Sequence, residues 1–295
     1  SGSYVESTAP TSYAQVASGS WSMYGVVYNT VDGDLELSGV QTGQFDVSIA
    51  VYSQNFDVSS QDTQPTGLAF NADGTKMFVV GLAGRDVNEY TLSTGFDVST
   101  ASFVDSFSVA GQETSPQGIA FNTDGTKMFV IGYDGDDVNE YLLSTGFDVS
   151  TAAFVDSFSI SGQQTEPYDV AFNATGTKMY VLGRVPVSVH EYALSTVFDV
   201  STASFTDSFS VSSQETTPKG ITFNTDGTKM FVCGDTGDDV NEYALSTDFD
   251  ISTASFTDAF SVSSQDTAPQ AIAFDNTGAK MFVLGDTGDN VCPVG

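Results

Sequence analysis

The chain has 295 residues, and its 38 acidic side chains against eight Lys and Arg give a formal net charge of -30. A surface of that sign repels phosphate backbones and anionic lipid, which argues against nucleic-acid binding and membrane attachment and favours cationic ligands, metal ions or plain solubility. Forty per cent hydrophobic residues, with 23 Phe and 12 Tyr, supply a sizeable core; no apolar run reaches membrane-spanning length, and Cys233 and Cys292 are too few for a disulfide framework.

One pattern organises the chain. Ala-Phe-Asn-x-Asp-Gly-Thr-Lys-Met-Phe-Val, or a near copy, begins at Ala69, Ala120, Ala171, Thr222 and Ala273, each 51 residues after the last. Phe-Asp recurs with the same step at Phe45, Phe96, Phe147, Phe198 and Phe249, and Glu-Tyr at Glu89, Glu140, Glu191 and Glu242. A register that never slips marks one structural unit used repeatedly.

In chain order, Tyr4-Val5-Glu6-Ser7 reads as a strand, followed by a worn copy of the unit. Pro10 to Val16 is its expected first strand, Val26-Val27-Tyr28 its second, Asp32-Gly33-Asp34 a turn and Leu35-Glu36-Leu37 its third. The later copies are clear, and Pro116 to Gly162 shows their plan. Gly118-Ile119-Ala120-Phe121 follows a proline, as an innermost strand would. Asn122-Thr123-Asp124-Gly125 is a tight turn, because Gly accepts the positive φ that such a turn demands. Lys127 to Ile131 is apolar on both faces, as a strand packed between neighbouring sheets must be. Gly132 to Asp136 makes a second turn, and Val138 to Leu143 a third strand. Phe154 to Ser159 mixes in polar residues and reads as a fourth, more exposed strand.

Four antiparallel strands in about 40–50 residues, repeated, are the mark of a propeller blade, and no stretch holds the 3.6-residue period of a helical solenoid. The expected fold is all-β, a six-bladed β-propeller forming a single domain over 1–295. Its units fall near 10–60, 61–111, 112–162, 163–213, 214–264 and 265–295. The last unit stops after three strands, and an N-terminal strand at 4–8 is expected to supply its fourth and close the ring without an open edge. Five blades with an N-terminal extension is the alternative.

The stretch Pro116-Gln117-Gly118-Ile119-Ala120-Phe121-Asn122-Thr123-Asp124-Gly125-Thr126-Lys127-Met128-Phe129-Val130 resembles the P-x-G-I-A-F-s-P-D-G-x-x-l-Y-V element of the YVTN, NHL and lactonase-like propellers. The likeness recurs through five units and implies the propeller fold. Those families include enzymes, scaffolds and surface-layer proteins, so it implies no single activity. Thr or Ala stands where they place the proline before Asp-Gly. The segment Leu-Ser-Thr-x-Phe-Asp-Val-Ser-Thr-Ala lies outside that element and resembles repeat proteins of marine bacteria and their phages. Lactonases of this kind hold calcium in the central channel with Glu, Asn and Asp. Here the first strands offer mainly Gly, Ala, Ile and Phe, with Asp169 the lone acid.

Chain direction sorts the loops onto two faces. On one lie Lys76, Lys127, Lys178, Lys229 and Lys280, expected to pair with Asp97, Asp148, Asp199 and Asp250. The other is acidic: its loops carry Asp134, Asp136, Asp137, Asp235, Asp238, Asp239, Asp286 and Asp289, and its connectors carry Asp62, Glu113, Glu166, Glu215 and Asp266. Calcium takes six to eight oxygens, and Gly-Asp-Thr-Gly-Asp-Asp could offer several. The EF-hand order is missing, however, and turn-forming Asp and Gly explain the same letters.

Where the units differ, a binding site is the reading to test. Just after the proline stand Thr66, Gln117, Tyr168, Lys219 and Gln270, one per unit, at the expected channel mouth on the acidic face. The third clear unit departs most: Asp169 replaces a Gly, Arg184 opens a loop without acids, and His190 takes an Asn place. The histidine has no Ser or Cys nucleophile motif beside it, and no phosphate loop or zinc-spaced cluster is present. The expectation is therefore a non-enzymatic binding or structural module. It would take a glycan or protein ligand through the acidic face or self-assemble into a fibre or surface layer, with a calcium-dependent lactonase-like hydrolase as the minority reading. Abundant Ser and Thr beside scarce Lys point to an extracellular, cell-surface or virion-surface location.

Overall fold

The structure, a computed structural model, describes residues 26–28, 35–37, 45–47 and 54–294. The chain divides into two compact units, Ser1–Gln44 and Phe45–Gly295. In the first, β1 (Val26–Tyr28) pairs antiparallel with β2 (Leu35–Leu37), Val26 opposite Leu37. These are the strands expected in a worn blade, yet they form a two-stranded sheet of their own. Pro10 to Val16 and the strand expected at 4–8 lie outside the described residues.

The second unit is a propeller of five four-stranded antiparallel sheets, not six. The first blade runs from β4 (Pro65–Phe70) through β5 (Lys76–Gly81) and β6 (Asp86–Leu92) to β7 (Ala101–Ser108). The second comprises β8 (Pro116–Phe121), β9 (Lys127–Gly132), β10 (Asp137–Leu143) and β11 (Ala152–Ser159). The third comprises β12 (Pro167–Phe172), β13 (Lys178–Arg184), β14 (Val187–Leu194) and β15 (Ala203–Ser210). The fourth comprises β16 (Pro218–Phe223), β17 (Lys229–Gly234), β18 (Asp239–Leu245) and β19 (Ala254–Ser261). The fifth takes β20 (Pro269–Phe274), β21 (Met281–Gly285) and β22 (Asn290–Val294) from the end of the chain and β3 (Phe56–Asp57) from before the first blade.

That closing strand is the second correction. Phe56 pairs with Val291 and Asp57 with Asn290, so the fourth strand of the last blade comes from residues 56–57. The repeat supplies the reason. Phe45-Asp46-Val47 corresponds to Phe96-Asp97-Val98, and Phe56 to Phe107, so this stretch carries the end of a blade and not the start of one. Phe45 accordingly donates its N–H to Gly278 O at 3.0 Å, as Phe96 does to Gly74 O within the first blade.

Aromatic pairs between neighbouring blades run once around the axis. Ring centroids lie 4.4 Å apart for Phe78–Phe121, Phe129–Phe172 and Tyr180–Phe223, and 4.6 Å apart for Phe231–Phe274 and Phe282–Phe70. The second-strand member of each pair is fully buried, and tilted rings at this distance add about 0.5–1.5 kcal/mol beyond burial. In the turn after each first strand, Gly125 and its equivalents have positive φ, and a Cβ on Gly125 would meet the Phe147 ring at 2.2 Å. The turn thus needs Gly for its backbone and for the phenyl ring that covers it.

The lysine face is built differently from expectation. Lys76, Lys127, Lys178 and Lys229 pair with Glu89, Glu140, Glu191 and Glu242 at 2.6–2.8 Å, inside their own blades. Each Nζ also donates to a Phe carbonyl of another blade, Lys127 to Phe198 O at 2.6 Å for instance. Glu140 Oε2 in turn accepts from Val200 N at 3.1 Å, so lysine and glutamate together clip two blades. Asp97, Asp148, Asp199 and Asp250 do not pair with these lysines; each caps a short 3-10 turn, as Asp148 does by accepting from Ser150 N. Antiparallel pairing sets Lys and Glu on adjacent strands, while the aspartates are held locally by their own turns.

Candidate functional site

The five first strands, β4, β8, β12, β16 and β20, surround the axis. Near the middle of each stands a small residue, Gly67, Gly118, Gly220 or Ala271, with Asp169 at the equivalent place in the third blade. The strands crowd here: a Cβ on Gly118 would come within 2.7 Å of Asp169 Cα, and one on Gly220 within 2.8 Å of Ala271 Cα. Asp169 fits because its neighbours on both sides are glycines.

On the lysine side of this waist lies a cavity of about 290 Å³, bounded by all five first strands. Its wall includes Leu68, Ile119, Val170, Ile221 and Ile272, and no Lys, Arg or His lines it. Asp169 is the one carboxyl in that wall. Its Oδ1 accepts from Val170 N and its Oδ2 from Ile221 N of the next blade, each at 2.8 Å. Burial pushes this carboxyl up to about 7, against the pull of the two N–H groups. A carboxylate oxygen keeps a second lone pair after accepting one bond, so this group can still take a proton from a molecule in the cavity.

The other mouth is formed by β-bulges. In every blade the pairing of first and second strands skips one residue, and the skipped residues are Thr66, Gln117, Tyr168, Lys219 and Gln270. An extra residue in one strand leaves the ladder and re-aims its side chain. All five line a second cavity of about 240 Å³, with Gln64, Leu82 and Asp286. The structure thus brings together the five residues expected at the channel mouth. Arg184 and His190 stand apart from them. Arg184 Nε donates to Glu166 Oε2 at 2.5 Å, and Tyr133 OH to Glu166 Oε1 at 3.2 Å. His190 is buried in β14 near the Phe205 ring with neither ring nitrogen hydrogen-bonded, and burial lowers its pKa, which keeps it neutral.

The acidic turns separate by blade. Asp134, Asp136 and Asp137 belong to the β9–β10 turn, Asp235, Asp238 and Asp239 to the β17–β18 turn, and Asp286 and Asp289 to the β21–β22 turn. Several carboxylates are occupied locally. Asp137 accepts from Asn139 Nδ2 at 2.8 Å and Asp239 from Asn241 Nδ2 at 2.7 Å, while Asp134 accepts from Thr114 and Ser115 hydroxyls. Asp136, Asp238 and Asp289 take positive φ in the turns. Among the described residues no group of three or more His, Cys, Asp or Glu is placed to hold a metal ion.

The connector acids are also structural. Asp62, Glu113, Glu215 and Asp266 are buried and accept backbone N–H groups from the turn between second and third strands. Glu113, for example, takes Ser115 N at 2.7 Å and Gly135 N at 3.1 Å. In the third blade Gln164 does the same work through Val185 N at 2.9 Å. Sequence reading missed this latch and the lysine–glutamate clip, although the fixed spacing of acid and turn in four units was a signal for the former. Cys233 and Cys292 are free and buried, and burial pushes both thiols up.

No family model and no curated protein matches the chain. Among solved structures it is similar to a protein from Lactobacillus plantarum at 14% identity and TM-score 0.50, over 78% of this chain and 66% of that one. It is also similar to the periplasmic gluconolactonase PpgL of Pseudomonas aeruginosa at 18% identity and TM-score 0.48, over 77% and 64%. A third likeness is to a Bacteroides uniformis protein provisionally named a 6-phosphogluconolactonase, at 12% identity and TM-score 0.49, over 74% and 62%. The chain spans 62–66% of the length of these three. Such likenesses show the fold alone, a β-propeller. They also correct one expectation. The neighbours whose names carry an activity are lactonases, so the reading as a non-enzymatic binding or structural module is withdrawn.

Proposed function

We propose that the protein is a lactonase-like hydrolase that opens a small uncharged cyclic ester in the axial cavity, with Asp169 as general base. The observation that carries this reading is the lone carboxyl of the cavity wall, held by Val170 N and Ile221 N and pushed up to about 7 by burial. A general base works best when its pKa lies near the operating pH, and such groups typically contribute 10²–10⁴-fold. In the step envisaged, a water oxygen attacks the ester carbonyl carbon while Asp169 takes the water proton. The ring C–O bond then breaks, the proton passes to the departing alkoxide oxygen, and a hydroxy acid leaves.

The cavity also limits the substrate. Its volume of about 290 Å³ sits at the small end of small-molecule sites. No basic side chain lines it, so a phosphorylated lactone would find no counter-charge there. The phosphate in the name of the Bacteroides neighbour is therefore not carried over. An exported location accompanies this reading, in line with the Ser- and Thr-rich, Lys-poor composition; among the described residues no helix is long and apolar enough to cross a membrane.

The test is proton release from glucono-δ-lactone and other uncharged lactones, followed at constant pH between 6 and 8. Turnover above the spontaneous rate is expected, reduced about 10²-fold or more in Asp169→Asn. Release no faster than the blank for every lactone would end the proposal.

A further inference from the structure

Five near-copies of one unit disagree in two neighbouring rings of positions. After each proline come Thr66, Gln117, Tyr168, Lys219 and Gln270; after the glycine closing each second strand come Leu82, Tyr133, Arg184, Asp235 and Asp286. All of the first ring, with Leu82 and Asp286 of the second, line the bulge cavity. The lysine and glutamate clips on the opposite face hardly vary. Divergence is thus concentrated around one half-open cavity of about 240 Å³.

Of the two charges in that space, Lys219 holds only a long ion pair. The Lys219 side chain is 16% exposed, yet its nearest carboxylate, Asp235 Oδ2, stands 3.6 Å away. The four lysine clips close to 2.6–2.8 Å, and charge-assisted bonds of this type usually measure about 2.7–2.9 Å. Lys219 instead lies over the Tyr168 ring, 4.3 Å from its centroid, which satisfies none of its three N–H donors. Asp286, an exposed residue at the rim, lines the same cavity, and among the described contacts its carboxylate makes no protein hydrogen bond or ion pair. Lys219 and Asp286 sense each other electrostatically without touching.

We infer that the bulge cavity binds a small zwitterion, with its carboxylate on Lys219 and its ammonium on Asp286, the free α-amino acids being the ligand class of that chemistry. A simple anion would meet Asp286 and Asp235, and a simple cation would meet Lys219. A neutral molecule would cover both charges and pair neither, which costs free energy. A zwitterion answers both at once. Gln117 and Gln270 line the same cavity. Their Nε2 atoms hold only long bonds of 3.4 and 3.3 Å to Ser115 O and Ala268 O, so the Oε1 atoms and second N–H groups are available to a ligand. This inference is independent of hydrolysis in the axial cavity.

The experiment is calorimetric titration of the full chain with glycine, L-alanine and L-glutamine, alongside lactate as carboxylate alone and ethylamine as ammonium alone. Lys219→Gln and Asp286→Leu are the variants, since sister blades carry Gln and Leu at those places and the fold accepts them. Saturable one-to-one binding of at least one amino acid is expected, at least tenfold weaker for the single-charge compounds and for each variant. No saturable binding of any of the three would overturn the inference. So would lactate or ethylamine binding equally well, or either variant keeping wild-type affinity.

Discussion

The two ends of the propeller axis follow opposite rules. At the lysine end, four blades use the same Lys–Glu pair, and all five use the same Phe carbonyl and the same Gly turn, so each contact has a copy next door. At the bulge end the backbone is equally regular, with one skipped residue per blade, but the side chains placed there differ. Fivefold repetition makes the frame; departures from it, on a frame already paid for by the copies, make places where one molecule can be told from another. Asp169 sits between the two regimes, the one charged departure inside the most crowded part of the frame.

The sharpest way to break this contrast is to injure the frame. Phe129→Ala removes a fully buried ring from the contact between second and third blades and is expected to destabilise by about 3–5 kcal/mol, read from the shift in urea midpoint. A loss near zero would mean that blades do not depend on the aromatic cycle.

The departure at the waist is expected to show in the pH dependence of stability. In the folded chain Asp169 keeps its proton to about 7, whereas the unfolded chain releases it near 3.8. Between those values the folded state binds more protons, so stability falls as pH rises. The contribution is fully present below about pH 4 and gone above about pH 7, with a size of order a few kcal/mol. Asp169→Gly, which restores the residue of three sister blades, is expected to flatten the profile in urea melts from pH 4 to 8; an unchanged slope would show that another group controls it.

Smaller is the cost of one clip. Lys127→Met leaves Glu140 nearly buried without its cation, and about 2 kcal/mol of destabilisation is expected, below the usual penalty for a buried pair because Lys127 is 24% exposed. Smallest is Lys219→Gln at the bulge end, where thermal melting is expected to register no more than about 0.5 kcal/mol. Equal losses from these last two changes would erase the distinction between frame and departure.

Much of this was legible in the repeat. The strands of the clear units, the tight Gly turn and the ring of residues after each proline follow from a strict 51-residue register. The blade count was not, because Val26-Val27-Tyr28 and Leu35-Glu36-Leu37 do form a hairpin, and a hairpin alone looks like two strands of a blade. Phe45 and Phe56 held the correct answer: they match the end of a unit, which can only complete a sheet begun elsewhere. The bulges were invisible because skipping one partner leaves residue types unchanged. Lys–Glu pairing was missed for a related reason, since the partner lies across the strand ladder and not in the adjacent loop.

The seam of the ring has a consequence for how the molecule opens. Four blades draw all their strands from one continuous stretch, whereas the fifth joins β20–β22 from the end of the chain to β3 from before the first blade. That outer strand is not joined to its neighbour β22 by a hairpin loop, so thermal breathing should begin there. Backbone amides of Phe56 and Val291 would then trade their hydrogens for deuterium sooner than Phe107 and Val87, their counterparts one blade along.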